Sequence, residues 1–344
     1  MLNVQFLEHH IIQGERMSKP NVFVTRIIPG PGLELIQDAA QMQVWQEELP
    51  PPYEVLMEKV QGLDGLLCLL TDRIDRDLIL LAGDSLKVIS QMAVGYDNID
   101  VEAATELGIP VGHTPGVLTD ATADFTWALL MSAARRVVEA DKFTREGRWV
   151  TWGPTLLMGA DVAGATLGIV GLGRIGQAVA KRAKGFDMHV LYNDLQRTLD
   201  LEDELGVEFV EFDELLRQSD FITIHTWLSE DTHHLFSTEQ FTLMKKSAIL
   251  INSARGPIVD QKALYSTLKA GEIAYAALDV TETEPIPSDD PLLTLDNVII
   301  APHIASSSLN ARTKMANMAT ENLLAGLRGE RLPNCVNPEV YQKR

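Results

Sequence analysis

Three polar residues in the second half of the chain each follow a short apolar segment: Arg255, Glu284 and His303. A guanidinium group grips a carboxylate through paired hydrogen bonds. A histidine beside a carboxylate suits proton donation, because the carboxylate stabilises the imidazolium form and orients the ring. These residue types therefore suit reduction of a 2-keto acid, which needs a cation for the carboxylate and a proton for the developing alkoxide. Taken singly, Arg255 is more typical of a surface ion pair and His303 of a structural histidine.

A glycine-rich turn follows a predicted strand and opens a predicted helix. In such a turn the first glycine permits the tight bend, the second lets the backbone approach a pyrophosphate, and the third allows close packing of helix and strand. The sequence context therefore favours dinucleotide binding over a bare glycine turn. The predicted cofactor-binding residues of the turn are Gly171, Gly173, Arg174, Ile175 and Gly176.

Asp194 ends the next predicted strand after the glycine turn. An acidic side chain at this place accepts hydrogen bonds from the adenosine ribose hydroxyls and repels a 2′-phosphate. We therefore expect NADH to be preferred, with NADP possible because Arg197 lies nearby. The alternative interpretation is an aspartate that only stabilises a turn at the strand end.

The bulk composition narrows the class of protein further. The formal net charge of -19 disfavours binding to nucleic acid or to anionic membranes, and no apolar run is long enough to span a bilayer. The two cysteines, Cys68 and Cys335, form neither a disulfide framework nor a metal site. We expect a cytoplasmic protein with no metal, nucleic-acid partner or membrane partner.

Short apolar segments alternate with helical segments along most of the chain, which predicts parallel α/β sheets. The apolar runs between residues 167 and 300 lack polar alternation, as expected for strands covered on both faces. One long helix is predicted over 121–146, capped by Thr119 or Asp120 and buried between domains or subunits. A final helix is predicted over about 308–328.

Several motifs occur in order along the chain and together resemble the D-isomer-specific 2-hydroxyacid dehydrogenase family, most closely its glyoxylate/hydroxypyruvate reductase branch. The matching motifs are Val94-Gly-Tyr-Asp-Asn-Ile-Asp100, Thr114-Pro-Gly-Val-Leu-Thr-Asp-Ala-Thr-Ala-Asp124, the glycine turn, Asn252-Ser-Ala-Arg-Gly256, Leu278-Asp-Val280 with Glu284-Pro285, and Pro302-His-Ile304.

The resemblance implies an architecture of two Rossmann-like/flavodoxin-like, doubly wound parallel-sheet domains with an active-site cleft between them. Residues 18–118 plus 305–337 would form the substrate domain and 119–304 the NAD-binding domain. Apart from the resemblance, residues 1–17 are expected to be a disordered extension, because their apolar residues have no evident element to join. The long apolar helix predicted over 121–146 indicates a homodimer built around the cofactor domains.

The resemblance further implies roles for individual residues. His303 would be the general acid, Glu284 its partner, and Arg255 a ligand of the substrate carboxylate. The other implied substrate-binding residues are Leu70, Val94, Gly95 and Trp152. The other implied cofactor-binding residues are Thr122, Thr226, Ala254, Asp279, which would hold the nicotinamide carboxamide, and His303 itself.

Two tryptophans leave alternatives open. Trp227 stands where the family usually has proline, so it either reshapes the cofactor wall or packs outward. Trp152 resembles a segment that reaches toward a partner subunit's active site, or it is a core or interface residue. Within the family, D-3-phosphoglycerate and D-lactate dehydrogenases are the alternatives. An NAD-sensing co-repressor is the alternative from another class, which the complete Arg-Glu-His set and the acidic charge disfavour.

Overall fold

The computed structural model describes residues 19–342, so the extension expected over 1–17 lies outside the described part. The chain divides into two compact units. One unit comprises the chain up to His113 together with the residues from Ala316 onward, and the other comprises Thr114–Met315. The division therefore falls within the last long helix, whereas the boundary expected from the sequence precedes that helix.

The first unit contains a five-stranded parallel sheet in the order β2-β1-β3-β4-β5. Its strands are β1 (Asn21–Val24), β2 (Gln41–Val44), β3 (Gly65–Cys68), β4 (Val88–Gln91) and β5 (Val111–Gly112). Its helices before residue 113 are α1 (Gly32–Ala39), α2 (Tyr53–Lys59), α3 (Arg76–Ala82) and α4 (Val101–Glu106). Strands β3 and β4 are buried at every position, because helices cover both faces of a parallel sheet.

The C-terminal part of the chain completes this first unit. The hydroxyl of Ser90 in β4 donates to the carbonyl oxygen of Ala319 over 2.7 Å. A methyl group added at Gly65 would lie 2.9 Å from Leu323, and one added at Gly112 would lie 2.7 Å from Asn322. The sheet therefore needs small residues at Gly65 and Gly112, where the helix that spans Leu309–Leu327 crosses it.

The second unit contains a seven-stranded parallel sheet in the order β12-β11-β10-β9-β6-β7-β8. Its strands are β6 (Thr166–Val170), β7 (His189–Asn193), β8 (Val207–Phe209), β9 (Phe221–Ile224), β10 (Ile249–Asn252), β11 (Tyr275–Leu278) and β12 (Val298–Ile300). Its helices are α5 (Thr119–Ala134), α6 (Val137–Arg145), α7 (Arg174–Ala183), α8 (Leu199–Leu205), α9 (Phe212–Gln218), α10 (Thr238–Leu243), α11 (Gln261–Ala270) and the start of α12 (Leu309–Leu327).

The strand order of the second unit reverses at β6. The chain builds outward from β6 through β7 to β8, then returns to β9 on the other side of β6. In open parallel sheets a crevice forms at the carboxyl ends of the strands where the order reverses, and ligands bind there. The glycine turn leaves β6 at this reversal, so the topology places it in the crevice.

The structure confirms the α/β class with two parallel-sheet units and the last helix, which spans Leu309–Leu327. The prediction of one helix over 121–146 is wrong, since α5 ends at Ala134 and α6 begins at Val137. Arg136 lies between them in a left-handed conformation with φ of 52°. The predicted caps are also wrong, because Thr119 and Asp120 lie in the first turn and Leu118 occupies the cap position. Across residues 19–342, no helix combines the length and apolar character required to cross a membrane.

Candidate active site

The glycine turn fits tightly against the neighbouring strand end. Gly171 has φ of 92°, a conformation that favours glycine, and a methyl group there would lie 2.8 Å from the backbone of His225 and Thr226. A methyl group at Gly176 would lie 2.1 Å from the carbonyl oxygen of Gly171. Both glycines are therefore required for packing, as the sequence motif predicts.

Gly173 differs from these two glycines because a methyl group built on it meets nothing within 4 Å. It is the N-cap of α7, and within the described chain no side chain caps this helix end. The residues that open the helix, Arg174 and Ile175, therefore present backbone N–H groups at its positive end, where an anion is favoured. Space beside Gly173 and an uncapped helix N-terminus fit the pyrophosphate of a dinucleotide.

Asp194 follows β7 and is linked directly to the glycine turn. Its Oδ2 accepts a hydrogen bond of 2.7 Å from the backbone N–H of Leu172. Its neighbour Asn193 accepts from the N–H of Gly171 through its carbonyl oxygen over 2.8 Å. The carboxylate is therefore fixed beside the turn, while its expected contact with a ribose hydroxyl stays a prediction.

Arg197, which is near Asp194 in sequence, forms an ion pair with Glu202. Its Nε donates to Glu202 over 2.7 Å and its Nη2 donates to the same carboxylate over 2.8 Å. This ion pair engages the Nε and Nη2 atoms of a guanidinium that stays 54% exposed.

His303 and Glu284 form a close pair in the second unit. The Nδ1 of His303 lies 2.7 Å from Oε2 of Glu284, so the ring nitrogen donates to the carboxylate. The other carboxylate oxygen of Glu284 accepts from the N–H of Thr281 over 3.1 Å. His303 adopts φ of 54°, and its N–H donates to the carbonyl oxygen of Asp279 over 2.8 Å. The ring is thus oriented with Nε2 directed away from Glu284.

Asp279 is buried and fixes the segment that carries His303. Its Oδ1 accepts from the N–H of Ile304 and its Oδ2 from the N–H of Ala305, each over 2.7 Å. Burial raises the pKa of the Asp279 carboxyl, and these two N–H groups act in the opposite direction. The structure therefore shows Asp279 positioning the His303 segment, while its implied contact with a nicotinamide stays a prediction.

Arg255 follows β10, the strand next to β11 in the sheet. Its Nη1 donates to the carbonyl oxygen of Ala254 over 2.9 Å, and its own carbonyl oxygen accepts from the side chain of Asn252 over 2.8 Å. The following residue, Gly256, packs so closely on Thr281 that a methyl group would lie 1.8 Å from the Thr281 carbonyl oxygen. The segments bearing Arg255 and Glu284 are therefore in direct backbone contact.

The predicted substrate residues of the first unit follow β3 and β4. The N–H of Leu69, beside Leu70, donates to the buried carboxylate of Asp72 over 2.7 Å. The carbonyl oxygen of Val94 lies 3.0 Å from Nδ1 of His113, and that of Gly95 accepts from Gln91 over 3.1 Å. The carbonyls of Val94 and Gly95 are held by side chains, and their role with substrate stays a prediction.

Comparison with known proteins decides the family. The family model for the NAD binding domain of D-isomer specific 2-hydroxyacid dehydrogenases matches residues 127–305. The chain belongs to this dehydrogenase family. A glyoxylate reductase of Korarchaeum cryptofilum is 56% identical over 327 residues, which cover 95% of this chain and 98% of the relative.

Solved structures agree with this dehydrogenase assignment. A crystal structure of a protein from Thermus thermophilus has a TM-score of 0.87 and 45% identity, covering 92% of this chain and 99% of that one. An NADPH-dependent glyoxylate/hydroxypyruvate reductase from Sinorhizobium meliloti, solved with NADP and malonate, has a TM-score of 0.83 and 28% identity. The match covers 98% of that chain and 93% of this one.

The remaining predicted cofactor residues of the dehydrogenase lie on the same unit as the glycine turn. Thr226 follows β9 and Ala254 follows β10, and both are half-buried. Thr122 lies in α5 and is buried. In the next turn of α5, the hydroxyl of Thr126 is 2.8 Å from that of Ser253 and so joins the helix to the Arg255 segment.

Both tryptophans with open alternatives are exposed. Trp227 is 65% exposed and Trp152 is 78% exposed, so neither side chain belongs to the core of the single chain. Among residues 19–342, no three histidine, cysteine or acidic side chains are grouped to hold a metal ion.

The positioning contacts around the pair of His303 and Glu284 were not predictable from the sequence. The hydrogen bonds from the backbone to Asp279 depend on the path of the loop after β12, which no spacing in the sequence reveals. The same is true of an ion pair between His234 and Glu282, which joins two loops that are far apart in sequence.

Proposed function

We propose that this dehydrogenase reduces small 2-keto acids, glyoxylate and hydroxypyruvate, to glycolate and D-glycerate. The observation that carries the proposal is the 2.7 Å pair of His303 Nδ1 and Glu284 Oε2. The two residues lie after β12 and β11, and β11 is the neighbour of β10, the strand that precedes Arg255. The relative named glyoxylate reductase, identical at 56% of positions, supports this choice of substrate.

The dinucleotide, when bound, supplies the hydride for the keto carbon. His303 donates the proton from Nε2 to the keto oxygen, since Nδ1 faces Glu284. Glu284 keeps the ring oriented and places a carboxylate beside the nitrogen that faces away from the keto acid. Arg255 binds the carboxylate of the keto acid and so holds the reacting carbon in place.

We further propose NADH as the preferred cofactor, because Asp194 lies fixed beside the glycine turn and Arg197 is paired with Glu202. A carboxylate beside the ribose repels the additional phosphate of NADPH. The Sinorhizobium meliloti relative is NADPH-dependent, so cofactor choice has to be tested in this chain directly. The unpaired thiols of Cys68 and Cys335 suit a reducing cytoplasm, the compartment we propose.

Kinetic comparison of variants tests the catalytic assignment. His303→Ala should lower kcat with glyoxylate by about 10²- to 10⁴-fold, the usual contribution of a positioned general acid. Its affinity for NADH, measured by fluorescence titration, should stay unchanged because the glycine turn is intact. His189→Ala is the matched control, since His189 lies exposed at the start of β7 and pairs with Glu208. A His303→Ala enzyme with near-normal kcat, in a rate-limiting chemical step, removes His303 from the mechanism.

The substrate assignment is tested by kcat/KM for glyoxylate, hydroxypyruvate, pyruvate and 3-phosphohydroxypyruvate. Glyoxylate and hydroxypyruvate should give the highest values. A higher value for pyruvate or for the phosphorylated acid assigns the enzyme to D-lactate or D-3-phosphoglycerate dehydrogenase instead. Binding of NADH without turnover of any of the four acids favours a sensing role.

A further inference from the structure

His234 lies on the loop after β9, and the backbone of this loop is hydrogen-bonded to the segment that follows Arg255. Its N–H donates to the carbonyl oxygen of Pro257 over 2.8 Å, and the N–H of Phe236 donates to Ile258 over 3.0 Å. His234 itself adopts φ of 53°. Few residues other than glycine adopt this conformation, and the two hydrogen bonds hold the backbone at His234 and just after it.

The ring of His234 is paired with Glu282 across the two loops. Its Nε2 lies 2.9 Å from Oε1 of Glu282, and each side chain is 34% exposed. The other carboxylate oxygen of Glu282 accepts from the N–H of Gln261 over 3.2 Å. The N–H of Glu282 donates to the side chain of Gln261 over 3.0 Å. Three hydrogen bonds thus hold Glu282, which distinguishes this pair from a mobile surface ion pair.

Glu282 directly follows Thr281, the residue whose N–H donates a hydrogen bond to the carboxylate of Glu284. The N–H of Thr281 donates to Oε1 of Glu284 over 3.1 Å, and its hydroxyl donates to the carbonyl oxygen of Thr283 over 2.8 Å. Its carbonyl oxygen packs against Gly256, beside Arg255. A displacement of Glu282 therefore moves the backbone that fixes Glu284.

Two neighbouring titratable side chains, His233 and Asp260, bear on the pair of His234 and Glu282. The ring of His233 stacks on that of His234 with centroids 4.0 Å apart. Asp260, at the N-cap of α11, is the other acidic group influenced by His234, and it already accepts hydrogen bonds from Ser237, Lys262 and Ala263. Glu282 is therefore the acidic partner to which the His234 ring is directly hydrogen-bonded.

We propose that His234 and Glu282 are positioning residues that keep Glu284 against His303 during proton donation. This inference rests on the proposed function, because it assigns the pair a role through the proton donor. It predicts that breaking the pair changes the pH dependence of reduction as well as its rate. A pair that only stabilises the fold would leave the pH dependence unchanged.

The test compares the pH profile of kcat/KM for glyoxylate reduction in a set of variants. His234→Ala should lower kcat/KM by about tenfold, within the range expected for a displaced catalytic group. The pH at which reduction falls to half should move to lower values, because His303 loses part of its carboxylate partner. His234→Gln keeps an N–H donor near the position of Nε2, so it should restore most of the rate. NADH affinity should stay within about twofold in each variant, because the glycine turn is intact.

His189→Ala is the matched control, since it breaks a histidine–glutamate pair of 3.1 Å between β7 and β8, away from the strand ends that bear the site. It should leave the profile unchanged. If His234→Ala proves unfolded by circular dichroism, Glu282→Gln takes its place, because the amide cannot accept from both His234 and Gln261 as the carboxylate does. Lost activity with an unchanged pH profile overturns the positioning role.

Glu284→Gln, measured in the same buffers, separates this inference from the proposed function. If Glu284→Gln leaves the pH profile of reduction unchanged, the proton donor itself is wrongly assigned. If Glu284→Gln moves the profile to lower pH and neither His234→Ala nor Glu282→Gln does so, only the positioning role is overturned.

Discussion

Three carboxylates in this dehydrogenase accept hydrogen bonds from the backbone of the segments that carry the candidate site. Asp279 accepts from two successive N–H groups after His303, and Glu284 accepts from Thr281 as well as from the histidine. Asp194 accepts from the glycine turn. Charge-assisted hydrogen bonds of this kind are about twice as strong as neutral ones. A side chain that is already fixed in this way loses little freedom when a ligand binds.

Asp194→Ser should relax the cofactor preference. The serine removes the negative charge that repels a 2′-phosphate, so kcat/KM with NADPH should rise at least about tenfold, which corresponds to about 1.4 kcal/mol. The value with NADH should fall, because a bond to ribose and the bond to the N–H of Leu172 are both weakened. Steady-state kinetics with both cofactors measure the change. An unmodified enzyme that already prefers NADPH contradicts the assignment.

The strand ends that bear the proposed catalytic residues were predictable from the sequence, and the loops between them were not. Arg255, Glu284 and His303 follow three consecutive strands, and the ends of parallel strands meet at one edge of the sheet. The strands predicted from the apolar segments therefore predict that these three residues lie near each other. The contact between Gly256 and Thr281 depends instead on two loop conformations, each set by several hydrogen bonds distant in sequence.

At the scale of elements, the same limit explains the break in the helix predicted over 121–146. Two arginines, Arg135 and Arg136, stand at the break between apolar and small residues, and neither glycine nor proline marks it. The break occurs at Arg136, whose Nε and Nη2 donate to Glu139 over 2.8 Å each. An arginine in a left-handed conformation carries no signal in the sequence, because most residues at such positions are glycine or asparagine.

In the element formed by β6, the glycine turn and α7, one glycine is needed for packing and another is expected to be needed for ligand binding. Gly176→Ala should destabilise the second unit, because the added methyl group lies 2.1 Å from the carbonyl oxygen of Gly171. Gly173→Ala should leave the folding free energy within about 0.5 kcal/mol, since the methyl group meets open space. It should nevertheless weaken NADH binding, because the methyl group occupies the place of the pyrophosphate.

Thermal unfolding and NADH titration of the two glycine variants check this separation. Gly173→Ala should show an unchanged melting temperature and reduced NADH affinity, whereas Gly176→Ala should show a lower melting temperature. Full NADH affinity in a folded Gly173→Ala enzyme contradicts the placement of the pyrophosphate.

At the scale of the whole molecule, a histidine with a buried ring nitrogen should limit stability in acid. Burial lowers the pKa of His225 to about 3, from an ordinary value of 6.5. Within the described chain its Nε2 has no hydrogen-bond partner. At a pH between these two pKa values, His225 binds a proton in the unfolded chain and not in the folded chain. The stability of the fold therefore falls as pH decreases below 6.5.

Replacing His225 should remove this part of the pH dependence. Between about pH 7.5 and pH 5 the histidine should cost about 2 kcal/mol, because each pH unit below the ordinary pKa contributes about 1.4 kcal/mol. His225→Gln should therefore lose less stability over this interval, as measured by urea denaturation at both pH values. His189→Gln, at an exposed site, serves as the control. An equal loss in His225→Gln and the unmodified enzyme shows that His225 is protonated in the folded state.

A long exposed apolar segment lies between α6 and β6. Trp149, Val150, Trp152 and Met158 are all exposed, Val150 to 91%. Apolar side chains gathered on one segment are unfavourable in water, and association removes them from it at about 25 cal/mol for each Å². This segment supports the prediction of a homodimer, in which a second copy of the chain covers it.

Light scattering during gel filtration at micromolar concentration should give about twice the 38.0 kDa mass of the chain. Val150→Asp should shift the mass toward that of a single chain, because burying an unpaired carboxylate costs more than the apolar contact contributes. Leu49→Asp is the control, since Leu49 is exposed on the first unit, away in sequence from the apolar segment. A single-chain mass for the unmodified protein, or an unchanged dimer in Val150→Asp, would show that this apolar segment is not the surface that joins two copies.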